Sequence, residues 1–205
     1  MVAFGMASPR QRLLELLAEK SFRLGEFKLS SGATSDYYID CRTTTLDAEG
    51  ARLTARVILD EIHARGWRPQ AMGGLTLGAD PIVASVAVLS AETPSAIHGF
   101  LVRKAEKAHG TARRIEGFAQ EDARVVIVDD VCTTGGSTIQ AIEAARQAGM
   151  VVVGVVCLVE REDAGGRAEV ERAAAPAPFV SIFQAAEIRQ EFLRRRTGGA
   201  GARRV

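Results

Sequence analysis

Asp129 and Asp130 stand side by side behind four aliphatic residues, in the stretch VVIVDDVCTTGGST from Val125 to Thr138. If Val125 to Val128 form a buried parallel strand, both carboxylates fall at its carboxyl end, where an α/β protein places its ligand. Successive side chains of a strand point to opposite faces, so one acid can meet a ligand while the other orients its surroundings or reaches a second ligand atom. Carboxylates suit vicinal sugar hydroxyls, because each oxygen accepts a charge-assisted hydrogen bond. The TTGGST run that follows offers small residues whose amides can converge on an anion, with a helix N-terminus behind them. A phosphate at the loop and a diol at the acids describe a ribose 5-phosphate. The run has no GK[ST] and is not GxGxxG, which disfavours ordinary nucleoside triphosphate and dinucleotide binding. A bare pair of acids would do no more than cap a strand; the unbroken succession of strand, acids, loop and helix points to a site.

A second cluster lies in LVRKAEKAHGTARRIEG, Leu101 to Gly117, where Arg103, Lys104, Lys107 and His109 crowd ahead of a glycine. Charges alone would read as a solvated loop. This loop, however, directly follows an expected strand and is long and polar for a compact domain, the character of a closing lid.

The elements that must position these groups follow from the hydrophobic pattern. Ser8-Pro9 opens a helix with Leu13, Leu14, Leu16 and Leu17 on one face, ending near Lys20. A second helix starts after Asp47, turns Leu53, Val57, Ile58 and Ile62 inward and stops at Gly66. Between them, FKLSSGATSDYYIDCR reads as short strands and turns, a small cap. From Gln70 onward strand and helix alternate: QAMGG, a helix near Pro81 to Ala91, AIHGFLV, RVVIVD, a helix from Ser137 to Ala148 closed by Gly149, VVVGVVCLV, a weak helix near Gly166 to Ala174, and FVSIF. Continuous Val/Ile runs imply strands buried on both faces, hence a parallel sheet flanked by helices.

Composition sets the outer limits. The chain has 205 residues, a formal net charge of +1 and 47% hydrophobic content, which suits one domain with a substantial core. Neither nucleic acid nor an acidic partner is indicated by charge. The N-terminus lacks a basic segment followed by an apolar core, and the longest apolar run, Met150 to Val159, is about half of what a membrane helix needs. A cytoplasmic protein with no membrane partner is expected. Cys41, Cys132 and Cys157 form no metal or disulfide pattern and fit a reducing compartment. Cys132 is read as a small residue tolerated in a loop, not as a redox centre.

VVIVDDVCTTGGST resembles the 5-phosphoribosyl 1-pyrophosphate (PRPP) signature of the type I phosphoribosyltransferases. RKAEKAHG resembles the catalytic loop of the orotate phosphoribosyltransferases within that group. Three further stretches are similar to the same family: FKLSSGATSDYYID to its N-terminal substrate segment, GGLTLGADP to its pyrophosphate loop, and LVERE to the strand end whose arginine meets the orotate carboxylate. The resemblance implies an α/β fold of the type I phosphoribosyltransferase kind, a central parallel sheet flanked by helices under a small N-terminal hood. Residues 1–45 would be N-terminal helix and hood, 46–193 the core, and 194–205 a disordered basic tail.

Residue by residue, the resemblance implies Arg103, Lys104, Lys107 and His109 as catalytic cations that also bind PRPP. It puts Asp129 and Asp130 on the ribose hydroxyls and Val131, Cys132, Thr133, Thr134, Gly135, Gly136 and Ser137 around the donor, with the 5-phosphate cradled from Thr133 to Ser137. Thr133 and Arg161 would approach orotate, the planar guanidinium pairing with its carboxylate. Mg2+ would be held mainly by PRPP and water, without direct protein ligands, and a homodimer would share the 103–117 loop across subunits. The chain departs from part of the family at Ser30 and Leu77, where lysines stand, with Lys28 nearby. Two rival readings are a phosphoribosyltransferase for another nucleobase and a non-catalytic PRPP sensor; RKAEKAHG and Arg161 weigh against the first, the complete cationic loop against the second.

Overall fold

The computed structural model describes residues 7–28, 34–104 and 114–201, the last four by backbone alone. Helix α1 (Pro9–Leu16) starts as its sequence demands: Ser8 Oγ accepts a hydrogen bond from the Gln11 amide at 3.2 Å and Pro9 takes the first turn. It runs on through one π-helical turn, Leu17–Ser21. Strands β1 (Phe22–Lys28) and β2 (Thr34–Ile39) then pair antiparallel, and β2 alternates so that Ser35, Tyr37 and Ile39 face inward. This ribbon lies within the segment, residues 1–45, expected to form the hood. A single turn, α2 (Arg42–Thr45), leads to α3 (Ala48–Ala64), whose N-cap Asp47 accepts from the Gly50 amide at 3.0 Å and whose buried face carries Leu53, Val57, Ile58 and Ile62.

The six-stranded sheet has the order β5-β4-β3-β6-β7-β8. Its strands are β3 (Ala71–Leu75), β4 (His98–Val102), β5 (Ile115–Gly117), β6 (Arg124–Cys132), β7 (Val151–Glu160) and β8 (Phe179–Gln184). Helix α4 (Asp80–Ser90) links β3 to β4, α5 (Gly136–Gln147) links β6 to β7, and α6 (Arg167–Ala174) links β7 to β8. All neighbours are parallel except the edge strand β5, which runs antiparallel to β4. The expected central parallel sheet gains one antiparallel strand at that edge, where Arg103 N donates to Arg114 O at 2.9 Å.

Both faces of the sheet are covered. Val126 and Val128 pack with α1, α3, α4 and the last helix, α7 (Ala185–Gly201), while Val125 and Ile127 pack with α5 and α6. The near-continuous Val run of β6 is what a strand between two apolar layers requires. The order reverses between β3 and β6, and the crevice beyond their carboxyl ends is the place where such sheets bind ligands. The basic tail expected to fray from 194 is instead helical to Gly201. Arg194 pairs with Glu191 and Arg195 reaches back to Glu19 at 2.7 Å, anchoring the last turns.

Candidate active site

At the end of β6, burial decides the state of the paired acids. Asp129 is 4% exposed; its Oδ2 accepts from Thr138 Oγ1 at 2.6 Å and its Oδ1 from the Asp130 amide at 3.0 Å. Those bonds favour the ionised form, but desolvation outweighs them and the carboxyl is pushed up to about 7. Asp130 is more open, accepts from the Val131 amide at 2.9 Å, and is also raised by burial, with Arg42 pulling the other way. Thus Asp129 is the fixed, oriented member of the pair and Asp130 presents itself to the crevice.

Thr133 to Ser137 turn from β6 into α5. Gly135, the N-cap, has φ +80°, a left-handed conformation that glycine adopts without steric cost. The turn rests on the start of α6: the Gly166 amide donates to Thr133 O at 3.1 Å, and a Cβ on Gly166 would lie 2.2 Å from that oxygen. Behind the turn, α5 supplies a twelve-residue helix dipole aimed at the crevice.

Arg161 follows β7 directly, and its amide donates to Cys132 O at 2.9 Å, so Arg161 and the Thr133 to Ser137 turn share one backbone frame. Its side chain is buried by the hood. Nε donates to Tyr37 OH at 3.0 Å, Nη2 donates to Ser35 Oγ at 3.1 Å and to Asp163 Oδ2 at 2.9 Å, and the guanidinium carbon lies 4.3 Å from the Tyr37 ring centroid. Tyr37 OH in turn donates to Asp163 Oδ1 at 2.9 Å, and burial, with this bond, raises the phenol to about 12. The Nε/Nη2 fork is therefore occupied within the protein, and Nη1 makes no hydrogen bond among the described residues. That refines the expected two-pronged pairing with a substrate carboxylate: the donors on offer are those of Nη1.

These groups surround one cavity of about 500 Å³, lined by Asp129, Asp130, Val131, Thr133, Thr134, Ser137 and Arg161 on one side. The other side is made by Lys28, Asp40, Arg42, Lys104 and the Thr76 to Gly78 turn after β3. The fit of that turn against the acids is close, since a Cβ on Gly78 would sit 2.2 Å from Asp130 Oδ1. Leu77 lines the cavity and is 65% exposed, an apolar side chain on the rim.

The structure brings together most, not all, of the residues anticipated. Arg103 turns to Glu116, Nε to Oε1 at 3.1 Å, while Lys104 lines the cavity. Cys132 is buried in the α5 side of the core with its amide donating to Cys157 Sγ at 3.0 Å, so only its backbone faces the turn. Gly135 and Gly136 contribute backbone to the turn and helix start. Lys107, His109 and Ser30 lie outside the described residues. Arg42, Tyr37 and Asp163 were not anticipated; the period-2 alternation of SDYYID is the one signal that could have turned Tyr37 inward, and nothing in the sequence tied it to Arg161.

Comparison with known proteins meets this geometry. The phosphoribosyl transferase domain model matches residues 102–175. An orotate phosphoribosyltransferase of Streptomyces avermitilis is 42% identical over 183 residues, covering 89% of this chain and 98% of its own. The chain belongs to the orotate phosphoribosyltransferase family. The family member from Aquifex aeolicus is 39% identical over 182 residues, covering 87% of this chain and 97% of its own. Among solved structures of the family, the Mycobacterium tuberculosis H37Rv orotate phosphoribosyltransferase in complex with PRPP superposes with a TM-score of 0.71 at 32% identity, covering 88% of this chain and 98% of that one. The fold expected from the sequence, a central parallel sheet flanked by helices, is found here as a mostly parallel sheet, matching these orotate phosphoribosyltransferases.

Proposed function

We propose that this enzyme transfers ribose 5-phosphate from PRPP to orotate, releasing pyrophosphate and forming orotidine 5-phosphate, a step of pyrimidine biosynthesis. The observation that carries the reading is the convergence on one cavity of Asp129 and Asp130, the Thr133 to Ser137 turn and Arg161. The turn receives the 5-phosphate on its amides and helix dipole. The acids accept from the two ribose hydroxyls, Asp130 directly and Asp129 from the position Thr138 gives it. Thr133 and Arg161 Nη1 meet orotate, holding its ring against the anomeric carbon.

As the anomeric C–O bond breaks, positive charge grows on the ribose and negative charge on the departing pyrophosphate. Lys104 and Arg103, with Lys107 and His109 of the loop beyond them, supply cations to that leaving group once the loop excludes water. The oxygen donors at the cavity, Asp129 and Asp130, suit a hard cation that keeps its waters. Asp129 and Asp130, on the ribose side of the cavity, are the residues that would lie beside hydrated Mg2+ carried in by PRPP, and the ion would supply charge neutralisation for the departing pyrophosphate. The reading carries with it a cytoplasmic homodimer sharing the 103–117 loop, and the division into hood (1–45) and core (46–193). Three buried free cysteines suit a reducing compartment, and Leu46 and Val88, 71% and 73% exposed, offer apolar surface to a second copy.

Incubation with PRPP and magnesium is expected to release pyrophosphate when orotate is added, and not with adenine, guanine or uracil. Release with one of those bases and not with orotate would overturn the acceptor.

A smaller effect tests the acids. Asp129→Asn is expected to weaken PRPP binding about tenfold, the value of one charge-assisted hydrogen bond. The pH dependence has a definite sign. A carboxyl whose native value is raised binds its proton more readily folded than unfolded, so its stabilisation is complete at low pH and is lost as pH rises through about 7. Ionisation for diol binding works against that preference, so PRPP affinity, measured by calorimetry, should fall as pH drops through about 7. The Asn variant should lose that inflection; an unchanged affinity and profile would remove Asp129 from the diol.

A further inference from the structure

A displacement at carbon places the incoming nitrogen and the departing oxygen on opposite sides of the reacting atom. The sheet order turns this into a layout. Arg161 stands at the end of β7, the acids at the end of neighbouring β6, the Thr76 to Gly78 turn at the end of β3 on the other side, and Lys104 beyond β4. With orotate at Arg161, pyrophosphate departs over the β3 and β4 side. There Leu77 brings no charge to the rim.

Arg42 is on that side. It lines the same cavity, and α2, which it begins, packs against α4, the helix that leaves the Thr76 to Gly78 turn. Its side chain is held in a fork by Asp40, Nε to Oδ1 and Nη2 to Oδ2 both at 2.8 Å, and its own amide donates to Oδ1 at 3.1 Å. Cys41, wholly buried between the two, fixes the backbone that carries them. Arg42 Nη1 makes no hydrogen bond among the described residues, and the guanidinium acts on Asp130, the acid nearer the β3 turn.

We propose that Arg42 is a pyrophosphate-binding residue of this enzyme, braced by Asp40 so that its Nη1 edge meets the leaving group; this rests on the phosphoribosyl-transfer reading above. A guanidinium suits the task because its planar donors match phosphate oxygens, and bracing one edge removes most of the rotamer freedom that binding would otherwise have to freeze. Asp40 nearly cancels the charge at a distance, so Arg42 acts through contact and not as a long-range attractor.

Arg42→Gln is expected to raise the pyrophosphate KM of the reverse reaction, orotidine 5-phosphate plus pyrophosphate, by about thirtyfold, the scale of a charged hydrogen bond to phosphate. The KM for orotate in the forward direction should stay within about threefold, since Arg161 lies across the ribose. Arg42→Lys should recover part of the loss, lacking the fork, and stands in if the Gln variant does not fold. Asp40→Asn, which loosens the brace, should raise the same KM by a smaller factor. An unchanged pyrophosphate KM in Arg42→Gln, or a loss shared equally with orotate, would overturn the proposal. Calorimetry with pyrophosphate alone keeps the two readings separable. A wild type that binds it more tightly than Arg42→Gln supports Arg42 even if the accepted base proves not to be orotate, and equal binding refutes Arg42 even if orotate turns over.

Discussion

Arg161→Leu is expected to raise the KM for orotate by about two orders of magnitude while the KM for PRPP moves only a few-fold. A truncated buried charge pair costs about 2–5 kcal/mol, and each 1.4 kcal/mol is about tenfold. The loss should fall on orotate because Arg161 reaches the end of β6 only through backbone, its amide on Cys132 O. The substitution also removes the partner of Ser35 and Tyr37, which tie the hood ribbon to the core. A lower melting temperature should accompany the kinetic loss, and Arg161→Lys separates the two effects by keeping a charge without the planar fork. Steady-state kinetics against both substrates reads the result; equal losses for orotate and PRPP would mean that Arg161 supports the site without meeting the acceptor.

Gly78→Ala is expected to lower turnover about a hundredfold with the fold intact. The added methyl would lie 2.2 Å from Asp130 Oδ1 and 2.7 Å from its Cγ. The aspartate is short and its Oδ1 already accepts from the Val131 amide, so it has little room to yield. Either the β3 turn lifts from the acids or Asp130 leaves the place from which the proposed reading has it meet the ribose, and a misplacement of about 1 Å in a catalytic geometry costs roughly 10²-fold. The melting temperature should change by a few degrees at most, because the turn lies on the cavity rim and not in the core. Wild-type turnover in Gly78→Ala, measured with both substrates saturating, would show that the turn and Asp130 move freely past each other.

The parts of the site that were legible in the sequence are those carried by contiguous residues. β6, its acids, the phosphate turn and α5 follow one another without a break, so period and chemistry agree along a single segment. Arg161 was legible only through the likeness of LVERE to the family's strand end, because a lone charge closing a strand reads as surface. Arg42, Tyr37 and Asp163 were not, because their meaning is tertiary: Tyr37 and Asp163 are far apart in sequence and meet only where the hood closes on β7. Gly78 stood inside GGLTLGADP, similar to a pyrophosphate loop, but its closeness to Asp130 became visible only with β3 beside β6. In the fold, β5 escaped notice because its three residues pair through a loop return that no periodicity marks. The helical course of α7 past residue 194 depends on Glu191 and Glu19, charge partners that look like solvated surface in a linear reading.

The layout of acceptor, ribose and leaving group across β7, β6 and β3 is the centre of the account, and a crystal structure with orotidine 5-phosphate and pyrophosphate bound tests it most directly. The expected result has the 5-phosphate on the Thr133 to Ser137 amides, the ribose hydroxyls on Asp129 and Asp130, the base carboxylate on Arg161 Nη1, and pyrophosphate beside the Thr76 to Gly78 turn within reach of Arg42. A base carboxylate seated away from Arg161, or pyrophosphate on the same side of the ribose as the base, would contradict it.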